Sequence, residues 1–152
     1  MYTTVLAIHS WIRWLALVAG FGTTLAAVRG KVEGSTSLAD RWGLFAMMGL
    51  DIQLLLGLVL YLAVSPNMQA ILAHVGDAMK DPVSRFWAVE HTSSMLVAVV
   101  LAHVGRVLAR NAQTPASKRT RLLICFGLAT FLMLVGMPWP GRPGGRPLFR
   151  GL

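Results

Sequence analysis

The chain has 152 residues, 55% of them hydrophobic and only 13% charged, with a formal charge of +8 and a mean hydropathy of +0.62. That length fits one domain, 1–152, and so little polar surface excludes a soluble globular domain. The basic excess does not mark nucleic-acid binding, because the Arg and Lys residues fall between apolar runs, where they set topology and meet anionic headgroups.

A membrane-spanning helix needs roughly 20 mostly apolar residues. Four stretches qualify, over 4–28, 43–64, 86–109 and 121–137. The first is long and lacks both a basic start and a small-residue cleavage pattern, so no cleavable signal peptide is expected there. Residues 29–42 form a polar connector rich in Gly, Ser and charge. After the second span, Ser65-Pro66 is a helix-start signal, and Met68, Ile71, Leu72, Val75 and Met79 recur at helical spacing. A short helix lying on the membrane surface is predicted there, with Gln69, Asp77 and Lys80 toward water and His74 solvated. Residues 110–120 form a basic connector, and the Pro- and Gly-rich 138–152 is an irregular tail. Trp139, Leu148 and Phe149 alternate in that tail with Arg142, Arg146 and Arg150, which predicts an ordered strap rather than a free end. The only cysteine, Cys125, lies in the fourth span, so there is neither a disulfide framework nor a CxxCH for covalent haem. The fold class is therefore an all-α integral membrane four-helix bundle, running up-down-up-down. Eight Lys and Arg in the first and third connectors oppose five on the other side (Lys80, Arg85, Arg142, Arg146 and Arg150), which predicts both termini outside the cytoplasm.

Ionisable residues at membrane depth are costly and mark function. Arg13, Asp51, Glu90 and His91 lie inside spans, His9 and His103 lie nearer the span ends, and Gln53 is a further deep polar group. His9 and His91 each fall about five residues, roughly 7 Å, inside the outer end of parallel spans that are diagonal partners in such a bundle. Two histidines at one depth on facing helices suit axial ligation of one b-type haem. Small residues follow each of them: Ala16, Gly20 and Ala27 on the first span, Ser94, Ala98, Ala102 and Gly105 on the third. Such stripes leave room for a macrocycle or simply let helices approach closely, as Gly49, Gln53 and Gly57 do on span two. His103 sits about 120° around its helix from His91, so the two cannot stack two haems on one face, and a second site there would need Met47 or Met48. Arg13 is placed to reach Glu90, Asp51 or a haem propionate, and Asp51 with Gln53 could serve a quinone or a proton path. The tryptophans and Tyr61 fit interfacial belts.

The blocks HSWIRW (residues 9–14), DIQLLLGLVLY (51–61), FWAVEH (86–91), HVGR (103–106) and PWPGRP followed by RPLFR resemble a family of small four-helix bacterial membrane proteins described as cytochrome b-like. The resemblance runs from His9 to Arg150. It implies a b-haem electron carrier or subunit in the bacterial inner membrane, with the haem on His9 and His91. The single histidine pair departs from two-haem cytochrome b, so quinol bifurcation is not implied. The leading expectation is a subunit passing electrons between quinol and a partner protein, among other membrane subunits and not an enzyme by itself. A haem-free accessory subunit of a respiratory or photosynthetic complex is the alternative, and a small transporter using His9, Glu90 and His91 with Asp51 on its path is a third.

Overall fold

The computed structural model describes residues 1–149; residues 150–152, and with them Arg150 of the strap, lie outside the described residues. Helix α1 covers Tyr2–Val28 and α2 covers Leu38–Val64. The short α3 (Pro66–Ala73) leads to α4 (Pro82–Arg110) and α5 (Pro115–Gly136). Four of these, all but α3, are long and apolar enough to cross a bilayer.

Each of the last three long helices starts earlier than its apolar run. Ser37 and Asp40 form a capping box, with the Ser37 amide donating to the Asp40 carboxylate over 3.1 Å. Asp81 accepts from the Ser84 amide at 2.8 Å and Thr114 from the Ser117 amide at 3.1 Å. Pro82 and Pro115 occupy the first helical turn, where a missing N–H costs nothing. Hydrogen bonds from Ser84 hold the Asp81 carboxyl below its ordinary range. The connectors expected over 29–42 and 110–120 are therefore shorter, because these polar caps add a turn that hydropathy does not register. The surface segment differs as well: α3 ends at Ala73, His74 breaks the helix at φ −136°, and a separate turn, Val75–Ala78, comes next. Met68, Ile71 and Ala78 pack on Tyr61 and Trp87, while Leu72 and Val75 are exposed.

Helix α1 packs against α2 and α5, and α4 packs against α5 and α2. Residue order reverses across the α1–α2 contact: Gly57 meets His9, Gly49 meets Ala16, and Gly43 meets Thr23. The small stripes do this packing. A Cβ on Gly20 would sit 2.6 Å from the Thr130 hydroxyl, and one on Gly105 only 2.6 Å from Cys125 Cβ. Ala16, Ala27, Ala98 and Ala102 are buried in the same contacts. The small residues beyond each histidine thus hold helices together, and open no slot for a macrocycle at that level.

At the end of the bundle remote from the tail, charged side chains close the connectors. Lys118 pairs with Asp40 at 2.5 Å, Arg106 donates to the Asp40 carbonyl at 2.7 Å, and Arg119 donates to the carbonyls of Ala27 and Val28, the last residues of α1.

The α4–α5 contact admits no added methyl. Gly105→Ala is expected to lower stability by about 1–3 kcal/mol through overpacking. Gly127→Ala, with open space around it, is expected to be neutral or to stabilise by up to about 1 kcal/mol. Thermal unfolding of both variants in detergent checks the contrast.

Candidate functional site: a cavity between His9 and His91

Toward the end of the bundle where the tail folds back, the four long helices separate around a partly open cavity of about 140 Å³. Helix α1 contributes His9, Ser10 and Arg13; α2 contributes Gln53, Leu54 and Gly57; α4 contributes His91 and Met95; Met133 and Arg146 come from α5 and the tail. Most of the wall is apolar, and among the described residues its only charged side chains are the two arginines.

Two turns bordering the cavity are π-helical, Leu60–Val64 at the end of α2 and Phe86–Glu90 within α4. A π turn holds an additional residue and rotates the helix on one side of it relative to the helix on the other. In α4 that rotation sets Phe86 and Trp87 beside the His91 ring, at centroid distances of 6.0 and 5.4 Å. The Tyr61 hydroxyl donates to the Ala88 carbonyl at 3.0 Å, joining the two π turns. Sequence periodicity carries no signal for either turn, because each residue type there also suits an α-helix.

The His9 and His91 rings face one another with centroids 6.5 Å apart and planes at 69°. His91 Nδ1 lies 2.8 Å from the Gly136 carbonyl oxygen. A carbonyl only accepts, so Nδ1 carries the proton and Nε2 keeps its lone pair. His9 Nδ1 is buried with no hydrogen-bond partner among the described residues, and so is Gln53 Oε1 in the same wall. One ring nitrogen on each histidine is therefore not engaged by the described residues.

Arg13 pairs with neither Glu90 nor Asp51, the carboxylates it was expected to reach. Its guanidinium donates to the Leu148 carbonyl and lies 5.2 Å from the Trp14 ring centre, while still lining the cavity. Glu90 lies outside the cavity wall, turned to the protein surface, where it accepts from Arg85 Nε at 2.9 Å. Glu90 is the chain neighbour of His91, but about 100° around the helix it points away from the cavity. Asp51 and Gln53 diverge: Gln53 lines the cavity, whereas Asp51 accepts from His103 Nε2 at 2.8 Å on the outside of the bundle. Met47 packs in the core and Met48 is exposed.

Within the described residues the strap folds back onto the bundle. Trp139 Nε1 donates to the Leu134 carbonyl at 2.6 Å, and Trp14 Nε1 donates to the Leu148 carbonyl at 3.2 Å. Phe149 stacks on Trp14 at 5.5 Å and tilts against Trp11 at 5.7 Å. Trp11, Trp14, Trp87 and Trp139 thus hold the tail, while Trp42 packs against Gly22. Gly144, at φ +73°, lies so close to Phe86 that a Cβ would be 2.6 Å from its ring. Arg146 then places its guanidinium 4.5 Å from the centre of Trp87 and donates to the Tyr2 hydroxyl at 3.4 Å. Sequence reasoning had Arg146 in the strap but not in the cavity wall; the run of apolar anchors spaced between arginines was the available signal.

Compared with known proteins, the chain matches no family model, no curated protein and no solved structure.

Truncation after Pro140 removes the Leu148 acceptor and the Phe149 stack together. The expected result is normal membrane insertion with a lowered unfolding midpoint and red-shifted tryptophan emission. Phe149→Ala alone is expected to cost about 0.5–1.5 kcal/mol for the lost aromatic pairing. An unchanged midpoint in the truncated chain would show that the strap contributes nothing.

Proposed function

We propose that this chain is a membrane electron-transfer subunit that holds one b-type haem between His9 and His91 and passes electrons between quinol and a partner protein. The observation that carries this reading is the spacing of the two rings. Two metal–imidazole bonds of about 2 Å, plus about 1.1 Å from each nitrogen to its ring centre, sum to about 6.2 Å. The observed 6.5 Å is within a few tenths of that. The Gly136 carbonyl fixes the His91 tautomer that leaves Nε2 free for a metal, the usual outer-shell arrangement of a ligating histidine. The unpartnered His9 nitrogen fits the same role.

Arg13 and Arg146 are the charged groups of the wall and suit the two carboxylates of a haem periphery. A bound haem supplies a one-electron couple. The chain's own residues would ligate it through two imidazoles, neutralise its carboxylates and keep water away with Trp87, Leu54, Met95 and Met133. The resemblance to cytochrome b-like membrane proteins supports the same assignment. In this reading the helices cross a bacterial inner membrane up-down-up-down, with both termini outside the cytoplasm and the haem near the outer face. The reversed residue order across helix contacts and the Lys and Arg distribution support that orientation.

A second reading, a haem-free accessory subunit of a larger membrane complex, is favoured by α2. Only 11% of its apolar window is buried within the chain, against 33–39% for the other three long helices. A partner could cover that face. The transporter reading loses its ligand set, since Glu90 is paired with Arg85 away from the histidines.

A reduced-minus-oxidised visible spectrum of the purified protein separates the two. The expected result is a low-spin b-type signal that disappears in His9→Ala and in His91→Ala and weakens in Arg146→Ala. A normal low-spin spectrum in both histidine variants would overturn the ligand assignment, and its absence from the wild type would favour the accessory subunit.

Orientation has its own measurement. Reporters that are active in a single compartment, fused after residue 152, are expected to report the side away from the cytoplasm. Cytoplasmic activity would reverse the topology and place the cavity on the inner side.

A further inference from the structure

His103 and Asp51 form a hydrogen-bonded contact at an unusual place. Nε2 and Oδ1 are 2.8 Å apart, yet the side chains are 49% and 40% exposed, in the groove between α2 and α4. Asp51 lies six residues, about 9 Å along the helix, from Gly57, which faces His9. His103 lies twelve residues, about 18 Å, beyond His91. Each Cβ leans toward the start of its own helix, and α2 and α4 run in opposite senses, so the two side chains converge from those levels. Both residues fall inside the apolar windows of their helices, and their neighbours along the chain include exposed Met48, Ile52, Val100 and Val104.

The pair lies about 10 Å inside the Arg110 end of α4, beside acyl chains that offer no hydrogen bonds. The carboxylate only accepts, so His103 Nε2 carries the proton of the contact and Nδ1 presents a lone pair outward. Among the described residues no other group is hydrogen-bonded to either side chain. The complement this arrangement calls for is an O–H donor that is itself soluble in hydrocarbon.

We propose that the Asp51–His103 pair is the docking point for the head group of a membrane-dissolved hydroquinone. A ring hydroxyl donates to His103 Nδ1, Asp51 holds the imidazole in the accepting tautomer, and the apolar tail lies along the valine and isoleucine side chains of the groove. This places the quinol outside the bundle, about 9 Å along α2 from the level of His9, and not in the cavity that Gln53 lines. The consequence for electron transfer rests on the haem reading above; the binding itself does not.

The test is titration of decylubiquinol into the protein in nanodiscs, read by calorimetry on haem-free and haem-loaded samples. Saturable binding is expected in both, weakened about tenfold or more in His103→Leu and in the isosteric Asp51→Asn, as for loss of a hydrogen bond tied to a charged group. Leu128→Ala, on the outer face of α5, is expected to bind as the wild type does. Absence of saturable binding, or equal affinity in the pair variants, overturns the proposal. So does a change of oligomeric mass in those variants with quinol affinity preserved, which would make the pair a protein interface. A wild-type protein that shows no haem spectrum but binds quinol through this pair overturns only the haem reading.

Discussion

Where α5 stops at Gly136, backbone carbonyls that have lost their helical partners lie among apolar side chains. No water is at hand in such surroundings, and each carbonyl left open costs several kcal/mol. His91 from α4 supplies one donor, to Gly136, and Trp139 from the next turn of chain supplies another, to Leu134. Much of the cavity depends on these two bonds. The His91 ring can turn no further, so its second nitrogen is committed to the cavity. A side chain at Gly136 would crowd α4, since a Cβ would lie 2.9 Å from Ser94 Cβ. Trp139, anchored by its indole, directs the chain back across the bundle, where the Arg146 amide meets the Pro138 carbonyl at 3.0 Å. The Leu148 carbonyl then becomes an acceptor for both Arg13 and Trp14.

The two ends of the bundle handle charge differently. Near the connectors, Lys118, Arg106 and Arg119 are spent on backbone carbonyls and on Asp40, which fastens α1, α2, α4 and α5 to one another. At the cavity end, Arg13 and Arg146 also touch carbonyl, hydroxyl or aromatic groups, yet among the described residues no carboxylate lines the cavity with them. The two guanidiniums give that wall a positive character, as suits a site for an anionic group. The same separation divides the helices. Small residues in α1, α4 and α5 give a dense core, whereas α2 joins it through Ala39, Gly43, Ala46 and Leu50 and turns most of its surface outward.

Hydropathy made the four long helices legible, since each is a long apolar run. Their starts were not, because capping by Ser37, Asp81 and Thr114 operates through a few polar residues that an averaged apolar signal ignores. The caps were nevertheless written in the sequence, as Ser-x-x-Asp and as a polar residue followed by proline. His9 and His91 do meet, although α4 starts at Pro82 and a π turn precedes His91, so the count of five residues from the span end was not the true depth. Depth failed for Glu90 because it says nothing of azimuth. Asp51 and His103 were each visible as a polar residue in a span, but their meeting depends on the lean of side chains across about 9 Å, under two helical turns. That direction is fixed by helix geometry and could have been used.

The strap has a bearing on how the protein is made. Residues 138–149 leave the ribosome after all four long helices, yet they cover one side of the cavity and supply Arg146 to its wall. In the folded chain the strap therefore narrows any route to the space between His9 and His91. Folding of the last segment, gripped by Trp14 and Phe149, then closes the vessel from outside, as a stopper rather than a gate.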